Sequence, residues 1–501
     1  MDSNSAPDKF QHVDILLFDG GGSRGIMEVS ILSDVMRLAT IVWQEPKRVS
    51  YLTESWEKVL ESADVLKNLN VLKDKAIREK LVNDLANVSS PLYPTKIYDM
   101  IVGTSTGALV AFGLVGGNEK DGERVPMTLQ ECIDMYLEKT KKIFSNSGAH
   151  WFISHLPGCG GTPMTTYPQD NVKNVLVEQF GESCLVDFEK SKSVAGALAR
   201  QIGQKEELVL FDTRTESYKF YKTHQVLLAS SNAPIYFETP VRIRKKEFVD
   251  GGVGGNCPLV QAIPRANEIF ADKAKQKITS ALSIAPPSPK KSHIPHHFQI
   301  KYWLNYFVNQ STDGYAVYKD AERRYKKKIN ALRVSPRGES LTGNKQTEGD
   351  AESKDAEQGF NKINFRRFSP RGESLKDFKL DEIDAQKMLD AVNDERLNND
   401  MFLVDVISTA AVVVDTYFGK AKEGPEVTTA KMGAQLAQMA GDIYADQLEY
   451  ELALNSYDTS ISLWQKVTNE DTNDVIVEIY DNIATCLREQ GKYQQQSRYF
   501  N

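Results

Sequence analysis

"HVDILLFDGGGSRGIMEVSILSDVMRLATIVW", residues 12–43, decides how the fold is read. Ile15, Leu16 and Leu17 form a short continuous apolar run, the pattern of a strand buried on both faces. A glycine turn follows. Ile26, Val29, Ile31, Leu32, Val35, Met36 and Leu38 then recur at a mostly helical spacing, so the segment reads as strand, turn and helix. The turn holds Gly20, Gly22 and Gly25 in the spacing G-x-G-x-x-G, which fits a dinucleotide site. It fits an oxyanion site equally, because a glycine turn entering a helix gathers several N–H groups in one concavity. A dinucleotide fold needs an acidic residue at the end of a second strand, about 20 residues on. Here the helix runs instead into "WQEPKRVSYLTES", which has no strand pattern. Arg24 also adds positive charge to the turn. Both features favour the oxyanion.

A second unit of the same kind is "KIYDMIVGTSTGALVAFGLVGG", residues 96–117. Within it "GTSTG" (103–107) is G-x-S-x-G at the join of a strand and a helix, where a nucleophile elbow belongs. Small flanking residues let the Ser105 hydroxyl project. A helix starting at Thr106 aims its N-terminus at developing negative charge. An ordinary Gly/Ser turn is the competing reading, and the strand–helix context favours the nucleophile. Such a serine needs a base. Of the seven histidines, His296 and His297 sit in the proline-rich "PPSPKKSHIPHH" (286–297) and read best as solvated loop residues. His224 reads as structural. In "FVDGGVGGNCP" (248–258), Asp250 follows the apolar pair Phe248–Val249 at a strand end, and Gly251 and Gly252 allow a sharp turn. A plain Asp-Gly turn fits as well, so the residues alone leave the role of Asp250 open.

"DGGGSRG", "GTSTG" and "DGG" in this order, at strand ends, resemble the patatin-like phospholipase family. "LASSNAPIYFE" (228–238) is similar to that family's Ser/Ala-rich stretch, and "TSALSIA" and "INFRRFSP" to its later strands. The resemblance spans roughly residues 10 to 420. It implies a Ser–Asp dyad without histidine, in which Ser105 is the nucleophile and Asp250 its base. It also implies an oxyanion hole of Gly20, Gly21 and Gly22 with Arg24 supporting the loop, and catalysis with no metal and no cofactor. The implied activity is lipid acyl hydrolysis of carboxylic esters, of phospholipase A or lysophospholipase type, on lipid at a membrane or micelle surface. The reading from another class is an interaction protein, in which C-terminal helices bind a partner and the hydrolase domain is a regulated or inactive module.

Further apolar runs at Leu208–Phe211, Val226–Ala229, Phe248–Val249 and Ile278–Ile284 continue the alternation of strand and helix. The expected fold is α/β, three-layered and patatin-like, with a mostly parallel central sheet covered on both faces. It is followed by a C-terminal all-α helical-repeat segment. We expect the hydrolase domain over residues 1–425, with a helical insertion at 45–95 and a mobile loop at 340–360, and the repeats over 430–501. "SPRGESL" occurs at 335–341 and 369–375 and reads as a duplicated loop in preference to a pair of phosphorylation sites. "GDIYADQLEYELALNSYDTSISLWQKV" and "EIYDNIATCLREQGKYQQQSRYF" overlay with a period of roughly 40 residues. They resemble tetratricopeptide helix pairs, with the longer spacing of kinesin light chains. Gly491 would stand at a tight turn and Tyr493 between helices, and a partner or a second copy would bind there.

The composition narrows the rest. A net charge of −7 argues against a nucleic-acid binder. Five scattered cysteines without a C-x-x-C pair suggest neither a disulfide framework nor a zinc site, so a reducing, cytoplasmic setting is expected. The first ten residues lack the apolar core of a signal peptide. "ISTAAVVV" (407–414) is shorter than the ~20 residues a bilayer requires. Membrane contact is therefore expected to be peripheral, with "RIRKK" (242–246) and "ERRYKKK" (322–328) as basic clusters facing solvent or lipid head groups.

Overall fold

The computed structural model describes residues 11–61, 69–145, 166–203, 206–287 apart from 235, 238, 239 and 271–275, residues 318, 319 and 323, and 364–491 apart from 370, 371, 373, 380, 421–426 and 468–471. The first copy of "SPRGESL", "ERRYKKK" apart from Arg323, the 340–360 loop, Tyr493 and the histidine-bearing loop from 288 onward all lie outside the described residues.

One mixed sheet carries the architecture. Its strands are β1 (Gln11–Phe18), β2 (Met100–Thr104), β5 (Val194–Ile202), β6 (Glu207–Asp212), β7 (Val241–Ile243), β8 (Lys246–Asp250), β9 (Gln276–Ile284) and β10 (Asn364–Phe368). A separate hairpin is formed by β3 (Asn118–Lys120) and β4 (Glu123–Val125). The sheet order is β10-β9-β1-β2-β5-β8-β7, with β6 also on β5. Strands β10, β9, β1, β2 and β5 are parallel, while β6, β7 and β8 are antiparallel additions. The run at Val226–Ala229 corrects the simple alternation. It lies in a helix, Thr223–Ser231, buried except at Gln225, and such a helix shows the same unbroken apolar run as a buried strand.

Both faces of the sheet are covered. Ile15, Leu17, Met100 and Val102 pack with Leu259, Ile263 and Ala266 of the helix Leu259–Phe270. Leu16, Phe18 and Ile101 point the other way, into the core that holds helix α1 (Gly25–Gln44). The motif serine's helix, α2 (Thr106–Gly116), lies in the same layer. Among the described residues, the segment expected as an insertion holds the α-helices Ser50–Glu61 and Lys75–Ala86, with no strand between α1 and β2.

The later helices close over α1. Helix α3 (Ala385–Asn398) is tied to it by Arg396, which pairs with Asp34 at 2.6 Å. Helix α4 (Asp400–Phe418) is long and apolar enough to cross a membrane by length and composition. It is mostly buried inside the protein, packed on α1 and on α5 (Val427–Asp446). Helices α6 (Tyr450–Trp464) and α7 (Thr472–Glu489) follow. A helix–turn–helix thus stands over the first of the two overlaid C-terminal segments. The described part of the second ends at Gly491, with φ +68°.

Candidate active site

Strand ends bring the motifs together. Phe18 pairs with Gly103 and with Ile284, and Ile284 pairs with Phe368, so four parallel strands finish at one level. Strand β2 runs beside β5 as far as Thr104, opposite Leu198. Strand β8 takes up the same edge one residue later, with Asp250 opposite Ala199, because β6 holds the other edge over Gly196–Gln201. Residues 105 and 250 are therefore neighbours by register. The Ser105 hydroxyl donates to Asp250 Oδ2 at 2.7 Å, and the Gly252 N–H donates to Oδ1 at 2.6 Å.

The elbow is strained and sterically closed. Ser105 has φ +56° and ψ −127°, in a region that costs a non-glycine residue about 1–3 kcal/mol. A Cβ on Gly103 would lie 2.0 Å from the backbone of Gly107, and one on Gly107 would lie 2.5 Å from the Asp19 carbonyl oxygen. Only glycine fits at both flanks of the G-x-S-x-G motif. The Ser105 N–H donates to Ser230 Oγ at 3.0 Å, and Ser230 in turn donates to the Leu198 carbonyl at 2.6 Å. The Asn232 carbonyl accepts from the Asp250 N–H at 3.2 Å. The "LASSN" stretch thus holds both members of the pair.

Burial raises the Asp250 carboxyl to about 6, against the opposing pull of the Ser105 and Gly252 hydrogen bonds. His224 is remote from this pair in its contacts; its Nδ1 lies 3.1 Å from the Gly181 carbonyl oxygen.

The glycine turn lies against the serine. A Cβ on Gly20 would sit 3.2 Å from Ser105 Cβ and 2.4 Å from Asn256 Oδ1. Here the structure alters the expectation of three donors. The Gly20 N–H donates to the Asn256 carbonyl at 3.2 Å, while Asn256 Nδ2 donates to the Gly20 carbonyl at 3.1 Å. The N–H groups of Gly21 and Gly22 have no acceptor among the described residues. Gly22 has φ +58°, which turns the backbone at that point.

Arg24 is buried. It donates from Nε to the Gly21 carbonyl at 3.4 Å and from a terminal nitrogen to the Pro287 carbonyl at 3.3 Å. Burial lowers its guanidinium to about 10, against the pull of Glu28. Gly25 admits Tyr136, whose hydroxyl a Cβ would meet at 2.1 Å. Arg367, a residue the sequence did not single out, forks onto Asp19 at 3.1 and 2.6 Å just before the turn. Above the pair opens a largely apolar cleft of about 100 Å³, lined among others by Leu109, Ile143, Phe144, Val172 and Phe237.

Residues 92–263 match the family model described as patatin-like phospholipase, a span that holds Ser105 and Asp250 and excludes the glycine turn. Two curated relatives are similar over 286 residues at 24% identity: "Patatin-like protein 2" of Oryza sativa subsp. indica and the protein of the same name from subsp. japonica. The match covers 54% of this chain and 57% of each relative, so it spans little more than half of those proteins. A structure of VipD from Legionella pneumophila is 10% identical, covers 94% of this chain and 90% of that one, and has a TM-score of 0.25, too low to carry an argument.

Proposed function

We propose that this protein hydrolyses carboxylic ester bonds of lipids with the pair Ser105 and Asp250. The observation that carries the reading is the 2.7 Å hydrogen bond from a strained serine to a buried carboxylate, at the floor of an apolar cleft. The match of residues 92–263 to the patatin-like phospholipase model supports the same class of chemistry.

In this reaction Ser105 Oγ attacks the ester carbonyl carbon while its proton passes to Asp250. A carboxyl raised to about 6 remains mostly ionised at neutral pH and is a stronger base than an ordinary aspartate. The carbonyl oxygen becomes an oxyanion, which the N–H groups of Gly21 and Gly22 and the N-terminus of α2 stabilise. Collapse breaks the bond to the leaving alcohol, which takes the proton from Asp250. A water molecule then gives its proton to Asp250 and attacks the acyl-serine, releasing the fatty acid and restoring the hydroxyl.

The apolar lining suits an acyl chain, and phospholipase A or lysophospholipase specificity is the finer proposal. The substrate would be met from the cytoplasm at a membrane or micelle surface. Glu247 pairs with Ile202 beyond Asp250, so the basic β7–β8 turn extends past the strand end on that side of the sheet. Arg244 in that turn stacks 4.6 Å from the Tyr221 ring centre.

The test is release of fatty acid from phospholipid and lysophospholipid micelles by wild type and by Ser105→Ala. The wild type should turn over, and the variant should fall by about 10⁴-fold or more with its melting temperature retained. Equal activity in both would overturn the assignment.

A further inference from the structure

A trans peptide group is flat, and its C=O and N–H point in opposite directions. A residue that grips the carbonyl of one glycine therefore sets the direction of the next residue's N–H. At the glycine turn this matters, because neither Gly20 nor Gly21 has a Cβ to oppose rotation of the peptide between them. Rotated the other way, that peptide would present a carbonyl where the Gly21 N–H now stands without an acceptor among the described residues. The following peptide is held by Arg24, whose backbone N–H and Nε donate to the Gly21 carbonyl at 3.2 and 3.4 Å. That grip sets the direction of the Gly22 N–H.

The peptide between Gly20 and Gly21 is held from elsewhere in the chain. Asn256 is buried, and its Nδ2 donates to the Gly20 carbonyl at 3.1 Å. Its backbone carbonyl accepts from the Gly20 N–H at 3.2 Å, so both peptide groups of Gly20 end on one residue. Its Oδ1 lies where a Cβ on residue 20 would stand, which makes a glycine there the condition of the grip. The residue before it is tied to the nucleophile's strand, since Thr104 Oγ1 donates to the Gly255 carbonyl at 3.1 Å. Asn256 thus closes the short loop that starts at Asp250, and it lines the same cleft as Ser105.

We infer that Asn256 is a positioning residue of the reaction: by gripping the Gly20 carbonyl it fixes the Gly21 N–H as an oxyanion donor. The inference rests on the hydrolase reading above. It gives the amide a task separate from that of the base. Among the described residues Asn256 bonds neither the Ser105 hydroxyl nor the Asp250 carboxylate, which are held by each other and by the Gly252 N–H. Loss of the amide therefore acts on the charge that develops on the carbonyl oxygen, an interaction stronger in the transition state than in the bound ester.

The experiment compares wild type, Asn256→Ala, Asn256→Leu and Ser105→Ala as full chains, with a soluble short-chain ester as substrate and an alkyl trifluoromethyl ketone as inhibitor. Ser105 Oγ adds to the ketone carbon, its proton passes to Asp250 and the ketone oxygen becomes the oxyanion, with no leaving group, so the inhibitor reports the donors alone. Asn256→Ala should lower kcat by about 10²-fold and weaken the inhibitor in parallel, with KM and the pH limb near 6 unchanged and the chain still folded by circular dichroism. Asn256→Leu, close to asparagine in shape and without the donor, should show the same loss. Either variant folded and as active as wild type overturns the assignment. So does a raised KM at an intact kcat, or a shifted pH limb, which would place the effect on Asp250. Ser105→Ala separates the two readings: a variant as active as wild type overturns the hydrolase reading and this one with it. An inactive Ser105→Ala beside unimpaired Asn256 variants overturns this one alone.

Discussion

The site around Ser105 and the C-terminal helices both bury carboxylates that burial raises and a hydroxyl bonds, and they differ in what that bond holds in place. In the helices each buried acid has a hydroxyl neighbour: Tyr444 donates to Asp405 and Tyr457 to Asp442, both at 2.6 Å, with Asn482 also reaching Asp442 at 3.3 Å. Ser408 and Ser456 share a bond of 2.7 Å. Around the serine, the backbone sits at φ +56° and Asp250 is held as a desolvated carboxylate. Behind the glycine turn, both oxygens of the fully buried Glu28 lack partners, and burial first, with the nearby Asp19 adding to it, raises that carboxyl well above its usual value. Polar burial in the helices joins elements; at the strand ends it keeps groups poised to react. Strain of that kind persists where the surrounding structure over-determines it, and the sheet with a packed core on each face provides that support.

The sharpest way to break this contrast is Asp250→Asn. Activity should fall by about 10³-fold or more, since an amide cannot take up the serine proton. Stability should nevertheless rise. The folded carboxyl lies at about 6 against an ordinary 3.8, so its ionisation opposes folding by about 3 kcal/mol at pH 7. The sign follows from the raised value: the penalty is absent below pH 4, grows as pH rises between the two values, and is complete above about 6. Denaturant unfolding of the variant and wild type at pH 4 and pH 8 checks it, and a variant less stable at pH 8 would show that the bonds from Ser105 and Gly252 outweigh the desolvation of Asp250.

Gly22→Ala comes next. It places a Cβ at φ +58° and disturbs the N–H geometry of the turn. The kcat should drop by about 10²-fold with a stability cost of about 1–2 kcal/mol. A change in KM with kcat intact would count against an oxyanion role.

Tyr457→Phe tests the other side of the comparison. Removing the hydroxyl from Asp442 should cost about 1–2 kcal/mol of stability and leave ester hydrolysis unchanged. Lost activity at full stability would mean that the helices take part in the chemistry.

The smallest effect is in the pH profile. The kcat/KM should be level at neutral pH and fall about ten-fold per unit as pH drops below about 6, where Asp250 takes up a proton. A profile set instead by a group near 7, with an unchanged Asp250 variant, would point to histidine.

The parts legible in the sequence were those whose requirement is local. Gly103 and Gly107 are demanded by the tightness of one turn, and the covered sheet by unbroken runs such as Ile15–Leu17. The run at Val226–Ala229 misled because a helix exposed only at Gln225 has no periodic polar face. Ser230, Asn256 and Arg367 were invisible for another reason. Each acts on a residue more than 100 positions away, Arg367 on Asp19 across 348, and nothing in its own neighbourhood marks the role. The meeting of residues 105 and 250 depends on two strands dividing one edge of β5, which no motif spells out. The donation of the Gly20 N–H to Asn256 depends on the same kind of distant closure.

That closure also sets when the protein becomes competent as the ribosome makes it. The serine and its turn are complete early, yet the base arrives 145 residues after the serine, and the counterion of Asp19 arrives only with β10. Until Arg367 has emerged and docked, the root of the glycine turn holds an acid that burial would leave without its cation. A nascent chain therefore carries Ser105 for a long stretch of its synthesis before Asp250 and Arg367 are in place, and the pairing of Asp19 waits for β10.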